Sequence, residues 1–393
     1  MMPIEIKPGV FWVGGVDWDL RNFHGYLTQR GSTYNSYLII DEKITLIDNV
    51  KHYLFEEQLQ RIKKIIDPTK IEYIIQNHIE MDHSGSLPKI MKYVPEAKIF
   101  ASPKGIEALP KHYQGEWNYQ TVKSGDSINI GKRSLNFVQT PMVHWPDNMV
   151  TYCPEEKILF SNDAFGQHIA SSERFDDEYP YNIIMEEAKK YYANIVLPYS
   201  RQVQKALQVL KNVEIEIISP SHGLIWKKYI PEIIKEYNGW SNNKTEDKAI
   251  IIYDSMWGST EKIAYALQSV FEDSKIRTKM RNVSTTHISD IMTDIIPSRY
   301  ICVGSPTLNN NILPTVAAFL TYLKGLAPKN RIGLAFGSYG WGGQSIDLVD
   351  KVLRECNFNM MSSIRFQYVP KSEDLEKIKK NFIEELNNLK EEE

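Results

Sequence analysis

The chain has 393 residues, 42% hydrophobic and 24% charged, with a formal net charge of −3. That is an ordinary globular balance, too long for one domain, and it offers nucleic acid no basic surface. Residues 1–10 lack the apolar core of a secretion signal and no run approaches 18 apolar residues, so a cytoplasmic, non-membrane protein is expected. The three cysteines, Cys153, Cys302 and Cys356, form no C-x-x-C pair. Neither a disulfide framework nor a cysteine-ligated iron–sulfur or rubredoxin site is expected within the chain.

From residue 1 to about residue 237, short β-branched and aromatic runs are separated by turns. Strands are predicted at 37–40, 44–47 and 73–75, with a helix over 54–66, which together read as a layered α/β domain. The polar stretch Asn238-Gly239-Trp240-Ser241-Asn242-Asn243-Lys244-Thr245 reads as a linker, dividing the chain into domains 1–245 and 246–393. Beyond it the pattern is strand, loop and helix, repeated. Residues 249–253, 300–304 and 332–336 are nearly continuous apolar runs, as buried parallel strands require. Apolar residues at 375, 378, 382, 386 and 389 mark a last helix capped by Ser372 and Glu373-Asp374. There is no internal repeat, and the only low-complexity stretch is the tail Glu391-Glu392-Glu393.

His78-Ile79-Glu80-Met81-Asp82-His83 places four metal-ligating side chains within six residues. It resembles the H-x-H-x-D-H signature of the metallo-β-lactamase superfamily, with Glu80 in place of the second histidine. That exchange replaces a neutral nitrogen with an anionic oxygen, which suits iron cycling between Fe(II) and Fe(III) better than hydrolytic zinc. Three more strand-like runs lead to His144, Asp163 and His222. Four nitrogens and three carboxylates are too many for one tetrahedral zinc but suit two metals with open positions. Two Fe(II) ions against three carboxylates and a bridging hydroxide are close to neutral, so such a site can be buried. Asp163 is the natural bridge, since each of its oxygens can face one metal.

With this spacing, the chain resembles the flavodiiron protein family, also called A-type flavoproteins, over essentially its whole length. The resemblance implies a metallo-β-lactamase-like αββα sandwich followed by a flavodoxin-like, doubly wound parallel sheet. It implies that His78, Glu80 and His144 hold one iron, that Asp82, His83 and His222 hold the other, and that Asp163 bridges them. It also implies that His24 lines the substrate pocket together with a tyrosine, taken as Tyr192, with Tyr191 as the alternative register. Trp145 is expected to shield the iron or simply to pack. His168 is expected near the site without being a ligand.

In the second block, Asp254-Ser255-Met256-Trp257-Gly258-Ser259-Thr260 joins a strand to a helix. Its hydroxyls and backbone N–H groups suit an anion at the helix start, and with no lysine it is not an ATP-binding loop. It resembles the phosphate loop that binds FMN in flavodoxins. Ser305-Pro306-Thr307-Leu308-Asn309-Asn310 and Gly337-Ser338-Tyr339-Gly340-Trp341-Gly342-Gly343 follow two further strands and should converge on the same crevice. Trp257, Tyr339 and Trp341 are candidates to stack on the ring, with core packing as the alternative.

The family resemblance implies an oxidoreductase that reduces O2 to water, NO to N2O, or both, with FMN relaying electrons to the diiron site. It further implies a head-to-tail homodimer or a dimer of such dimers. No cysteine-rich module follows the flavodoxin block, so a separate donor is expected: rubredoxin, or a deazaflavin of the coenzyme F420 type. Two readings from other classes remain: a dizinc hydrolase fused to an FMN module, and a flavin-based gas sensor.

Overall fold

A computed structural model describes residues 2–391; Met1 and the end of the acidic tail, Glu392 and Glu393, lie outside the described residues. Contacts divide the chain into two units, Met1–Ser241 and Asn242–Glu393.

Alternating apolar side chains build the first unit as two facing sheets. A seven-stranded sheet runs in the order Ile4–Lys7, Val10–Trp12, Tyr37–Ile39, Thr45–Ile47, Tyr73–Gln76, Lys98–Ala101 and Asn118–Thr121. The five-stranded partner runs Ser127–Asn129, Ser134–Gln139, Met149–Cys153, Ile158–Asn162 and Ile217–Pro220. Trp12, Tyr37, Ile47 and Phe100 of one sheet meet Phe137, Met149 and Phe160 of the other in a shared core. The opposite face of the larger sheet, with Leu38, Leu46, Ile74 and Ile99, is covered by the helices Phe55–Lys63, Leu87–Ile90 and Pro103–His112. Each face is therefore apolar for its own neighbour, and the layers follow from period-two burial.

The second unit is a parallel sheet in the order Arg277–Asn282, Glu246–Tyr253, Ser298–Gly304 and Ile332–Tyr339. Asn359–Met360 and Ile364–Gln367 both pair with Ile332–Tyr339. The central strands are almost wholly buried, as the unbroken apolar runs require. The last helix, Ser372–Glu391, packs Phe382 and Leu386 against Phe271 and Val270 of the helix Ser259–Asp273.

The expected linker is half wrong. The helix Ile230–Ser241 runs through Asn238-Gly239-Trp240-Ser241, and only residues 242–245 join it to the strand Glu246–Tyr253. The cause is Trp240, which is buried with its ring 5.3 Å from Tyr192 and 5.4 Å from Tyr237. Burial of one large indole outweighs the turn signal of the neighbouring glycine and asparagine.

The helix Tyr181–Tyr191 is fastened to the loop near residue 30 by Glu187, whose carboxylate accepts from Arg30 Nε at 3.1 Å. Burial raises the Glu187 pKa to about 7, against the pull of Lys190 and Arg30. A carboxyl with a folded pKa above its unfolded value favours folding at low pH, and that advantage is lost as pH rises from about 4.5 through 7. Glu187→Gln is therefore expected to flatten the fall in melting temperature between pH 5 and pH 8, measured by thermal unfolding of the two proteins side by side.

Candidate metal centre and cofactor cavity

Every candidate ligand lies on a loop that leaves the carboxyl end of a strand. Tyr73–Gln76 leads into His78, Ser134–Gln139 toward His144, Ile158–Asn162 to Asp163 and Ile217–Pro220 to His222. The first loop is held from behind. Asp48 accepts from the backbone N–H and the Nδ2 of Asn77 at 2.7 and 2.9 Å, and Gln76 Nε2 donates to the carbonyls of His78 and His83 at 2.7 and 2.8 Å. A single helical turn, Met81–Ser84, then points Asp82 and His83 inward and leaves Met81 56% exposed.

The His222 loop is held from both ends by Thr33 and Asn35. His222 Nδ1 lies 2.8 Å from the Thr33 carbonyl, and Gly223 N–H donates to Thr33 Oγ1 at 2.6 Å. Asn35 donates through Nδ2 to the carbonyls of Pro220 and Gly223, and its own N–H donates to the Ser221 carbonyl. Trp12 Nε1 donates to Asn35 Oδ1 at 2.8 Å, which fixes the orientation of that amide.

The ligand atoms gather in two sets: His78, Glu80, His144 and Asp163, and Asp82, His83 and His222. In the first, Glu80 Oε2 lies 3.3 Å from His78 Nε2 and 3.2 Å from His144 Nε2. In the second, Asp82 Oδ1 and Oδ2 lie 3.3 Å from His83 Nε2 and His222 Nε2 respectively. Asp163 reaches both. Its Oδ2 faces His78 and His144 at 3.6 and 3.3 Å, and its Oδ1 faces His83 and His222 at 3.0 and 3.5 Å. Such spacings match the edge of an octahedron of about 3 Å, for metal–ligand bonds of about 2.1 Å.

The donors also ask for positive charge. Both oxygens of Asp82, both oxygens of Asp163 and Nε2 of His222 are buried without a hydrogen-bond partner. Burial penalises the Asp163 anion, yet the imidazoles of His83, His144 and His78 hold its carboxyl well below the usual range. Conversely, the carboxylates outweigh burial at His83 and His144 and raise each to about 9. Buried anionic oxygens without donors cost several kcal/mol, roughly, unless cations meet them. The donor set therefore fits two metal ions.

His24 is brought to the site: its Nε2 lies 2.9 Å from Glu80 Oε1, while its side chain stays 66% exposed. Tyr192 is not. Its hydroxyl pairs with Ser200 Oγ at 2.9 Å and its ring packs on Tyr237 and Trp240. Tyr191 is the tyrosine beside the donors, with its ring 5.8 Å from His222 and 5.1 Å from His168. Trp145 is half-buried, its ring 5.2 Å from His78. His168 is buried beside His222, with ring centroids 4.9 Å apart, and its Nδ1 meets Ser32 Oγ at 2.7 Å.

Sequence reasoning missed Asp147. Its buried carboxylate stands behind His78, with Oδ2 2.9 Å from His78 Nδ1 and 2.8 Å from the Ile79 N–H that donates to it. Its place three residues after His144 was the available signal.

In the second unit the three loops do meet, around a cavity of about 540 Å3. Ser255, Met256, Trp257 and Ser259 line it from the first loop, Pro306, Thr307, Asn309 and Asn310 from the second, and Ser338 to Gly342 from the third. Four expected residues stay behind the wall. Thr260 Oγ1 pairs with Ser338 Oγ, and Ser305 Oγ braces Pro306 and Leu313. Gly258 turns the loop at φ +81° and donates to Ser255 Oγ, while Leu308 pairs with Asn311 across a short hairpin. Tyr368 and Val369, which the sequence reading did not include, complete the lining. Trp257 and Trp341 are each 92% exposed, so they are not core residues. Hydroxyls at a helix start, apolar walls and free indole faces fit a phosphorylated aromatic ring system.

Gly223 has φ +80°, and a β-carbon there would collide with the side chain and the carbonyl of Gln167. Gly223→Ala is expected to displace His222 and lower the iron content toward half, by metal analysis, with flavin content unchanged.

Comparison with known proteins bears on both units. Residues 33–223 match the ODP family beta lactamase domain, and residues 251–382 match flavodoxin. The chain is 44% identical to a nitric oxide reductase of Moorella thermoacetica, across 95% of this chain and 96% of that protein. It is 42% identical to the rubredoxin-oxygen oxidoreductase of Megalodesulfovibrio gigas, across 96% of each. The crystal structure of the flavodiiron protein from Giardia intestinalis superposes with a TM-score of 0.95 at 38% identity, covering 98% of this chain and 96% of that one. The chain belongs to the flavodiiron protein family, oxidoreductases that join a metallo-β-lactamase-like unit with a diiron centre to an FMN-binding flavodoxin unit.

Proposed function

We propose that this chain reduces O2 to water, NO to N2O, or both, with the seven residues of the two donor sets as the iron ligands. His78, Glu80 and His144 would hold one iron and Asp82, His83 and His222 the other, with Asp163 within reach of both. The observation that supports this most is the double reach of Asp163, whose two unpartnered oxygens face one donor set each. When bound, two ferrous ions and reduced FMN supply the four electrons that turn O2 into two waters, or the two that turn two NO into N2O and water.

The chain's own residues then have distinct tasks. His24 engages Oε1 of Glu80 and leaves Oε2 to the donor set. It is also the exposed group through which Glu80 meets solvent. Tyr191 places its buried ring against His222 and His168, an aromatic cover on that side of the donors. The loop Ser255 to Ser259 would receive the FMN phosphate at the start of the helix Ser259–Asp273, with Trp257 and Trp341 offering faces to the ring. Indoles this exposed at a cofactor cavity favour a covering surface. By family resemblance the reading also includes a head-to-tail homodimer, or a dimer of dimers, with electrons from a rubredoxin-like donor in the cytoplasm.

Anaerobically purified protein should contain about two iron and one FMN per chain and consume O2 or NO when reduced rubredoxin is supplied. Two zinc per chain and no gas consumption would overturn the reading in favour of a hydrolase. Glu80→Ala should lose iron and gas consumption and keep FMN; full iron and full activity in that variant would remove Glu80 from the ligand set.

A further inference from the structure

The four candidate histidine ligands are not backed alike. His78 Nδ1 faces the Asp147 carboxylate at 2.9 Å, whereas His222 Nδ1 faces the neutral carbonyl of Thr33 at 2.8 Å. His83 Nδ1 has no hydrogen-bond partner among the described residues. Among the described residues, no carboxylate pairs with the outward nitrogen of His83, His144 or His222.

Asp147 is itself held firmly. It is 4% exposed, its Oδ2 also accepts from the Ile79 N–H at 2.8 Å, and its carbonyl accepts from Ser102 Oγ at 2.6 Å. Its charge is therefore fixed one hydrogen bond behind a single donor of the first set. Oxygens nearer the metals do not create the same imbalance. Glu80 in one set is matched by Asp82 in the other, and Asp163 divides its two oxygens between them.

We propose that Asp147 is a positioning residue that makes the two metal positions unequal, favouring the ferric state at the position of His78, Glu80 and His144. A carboxylate that accepts the outward N–H of a ligand imidazole makes the ring a stronger electron donor, and its negative charge stabilises the higher oxidation state. The position backed by Asp147 thus has the lower reduction potential and is the first of the pair to be oxidised. This rests on the diiron reading above and adds a direction to it.

Asp147→Asn separates charge from geometry. An asparagine oxygen in the place of Oδ2 accepts from both His78 and Ile79, and only the charge is removed. The test is a redox titration of the iron- and FMN-loaded protein, following the mixed-valence signal by electron paramagnetic resonance. With two iron retained, the lower iron potential should rise by about 60–120 mV, a roughly 10–100-fold loss of ferric preference. The maximum mixed-valence fraction should fall accordingly, and Asp147→Glu should restore part of the separation. Full iron with both potentials unchanged in Asp147→Asn overturns the proposal. Should that variant bind less iron, the remaining iron must survive a second change, His144→Ala, and be lost with His222→Ala; the reverse pattern overturns it. A wild-type protein without two iron per chain overturns the diiron reading itself.

Discussion

Everything in the first unit is subordinate to one buried carboxylate with two orphaned oxygens. Asp163 is 1% exposed, and each oxygen faces imidazoles from a different donor set. Such an anion is tolerable only if positive charge stands on both sides of it. The raised pKa values of His83 and His144, each about 9, express the same demand: without cations the imidazoles themselves would take up protons. Four strands must deliver their ends to within a few ångströms of this carboxylate, and the sandwich is the scaffold that brings them there. A zinc hydrolase would need fewer anions. Glu80 and Asp82, one carboxylate for each donor set, make the site suited to a pair of ions that change charge.

Much of this was legible in the sequence because ligand residues recur at short spacing after apolar runs. His78 to His83 announce themselves within six residues, and His144, Asp163 and His222 each follow a strand-like run. Asp147 was not legible in the same way. Its partner is His78, 69 positions away, so its place three residues after His144 points to the wrong histidine. The tyrosine register failed for a different reason. Tyr191 and Tyr192 are both buried, and the wide turn Tyr192–Val196, with i to i+5 bonding, follows directly on the helix Tyr181–Tyr191. Adjacent residues on a helix point about 100° apart, so both rings can be buried while only one faces the donors, and the family resemblance alone did not choose between them. The linker was misjudged because Gly239 and Asn238 speak for a turn while Trp240 speaks for burial, and burial prevailed.

The flavodoxin unit follows a simpler rule. Its loops at the carboxyl ends of three neighbouring parallel strands are brought to one crevice by the strand order, and the Thr260–Ser338 hydroxyl pair ties two of them together. What the order of strands does not specify is the contribution of Tyr368 and Val369, which arrive from the loop after Ile364–Gln367. That loop is tied back by the Tyr368 N–H, which donates to the Tyr339 carbonyl at 2.7 Å, a contact between segments far apart in the chain.

The grip of Thr33 and Asn35 on the His222 loop has a consequence for how the unit folds. Thr33 and His222 meet across 189 positions of chain, so this part of the site forms only when distant segments are brought together. All donors of the His78 set precede residue 164, whereas the other set is incomplete until residue 222 has been synthesised and docked. Closing so long a loop is slow relative to local folding, and the metal that favours the closed form draws its affinity from that closure. His222 thus ties the second donor set to a contact that spans the unit from residue 33 to residue 222.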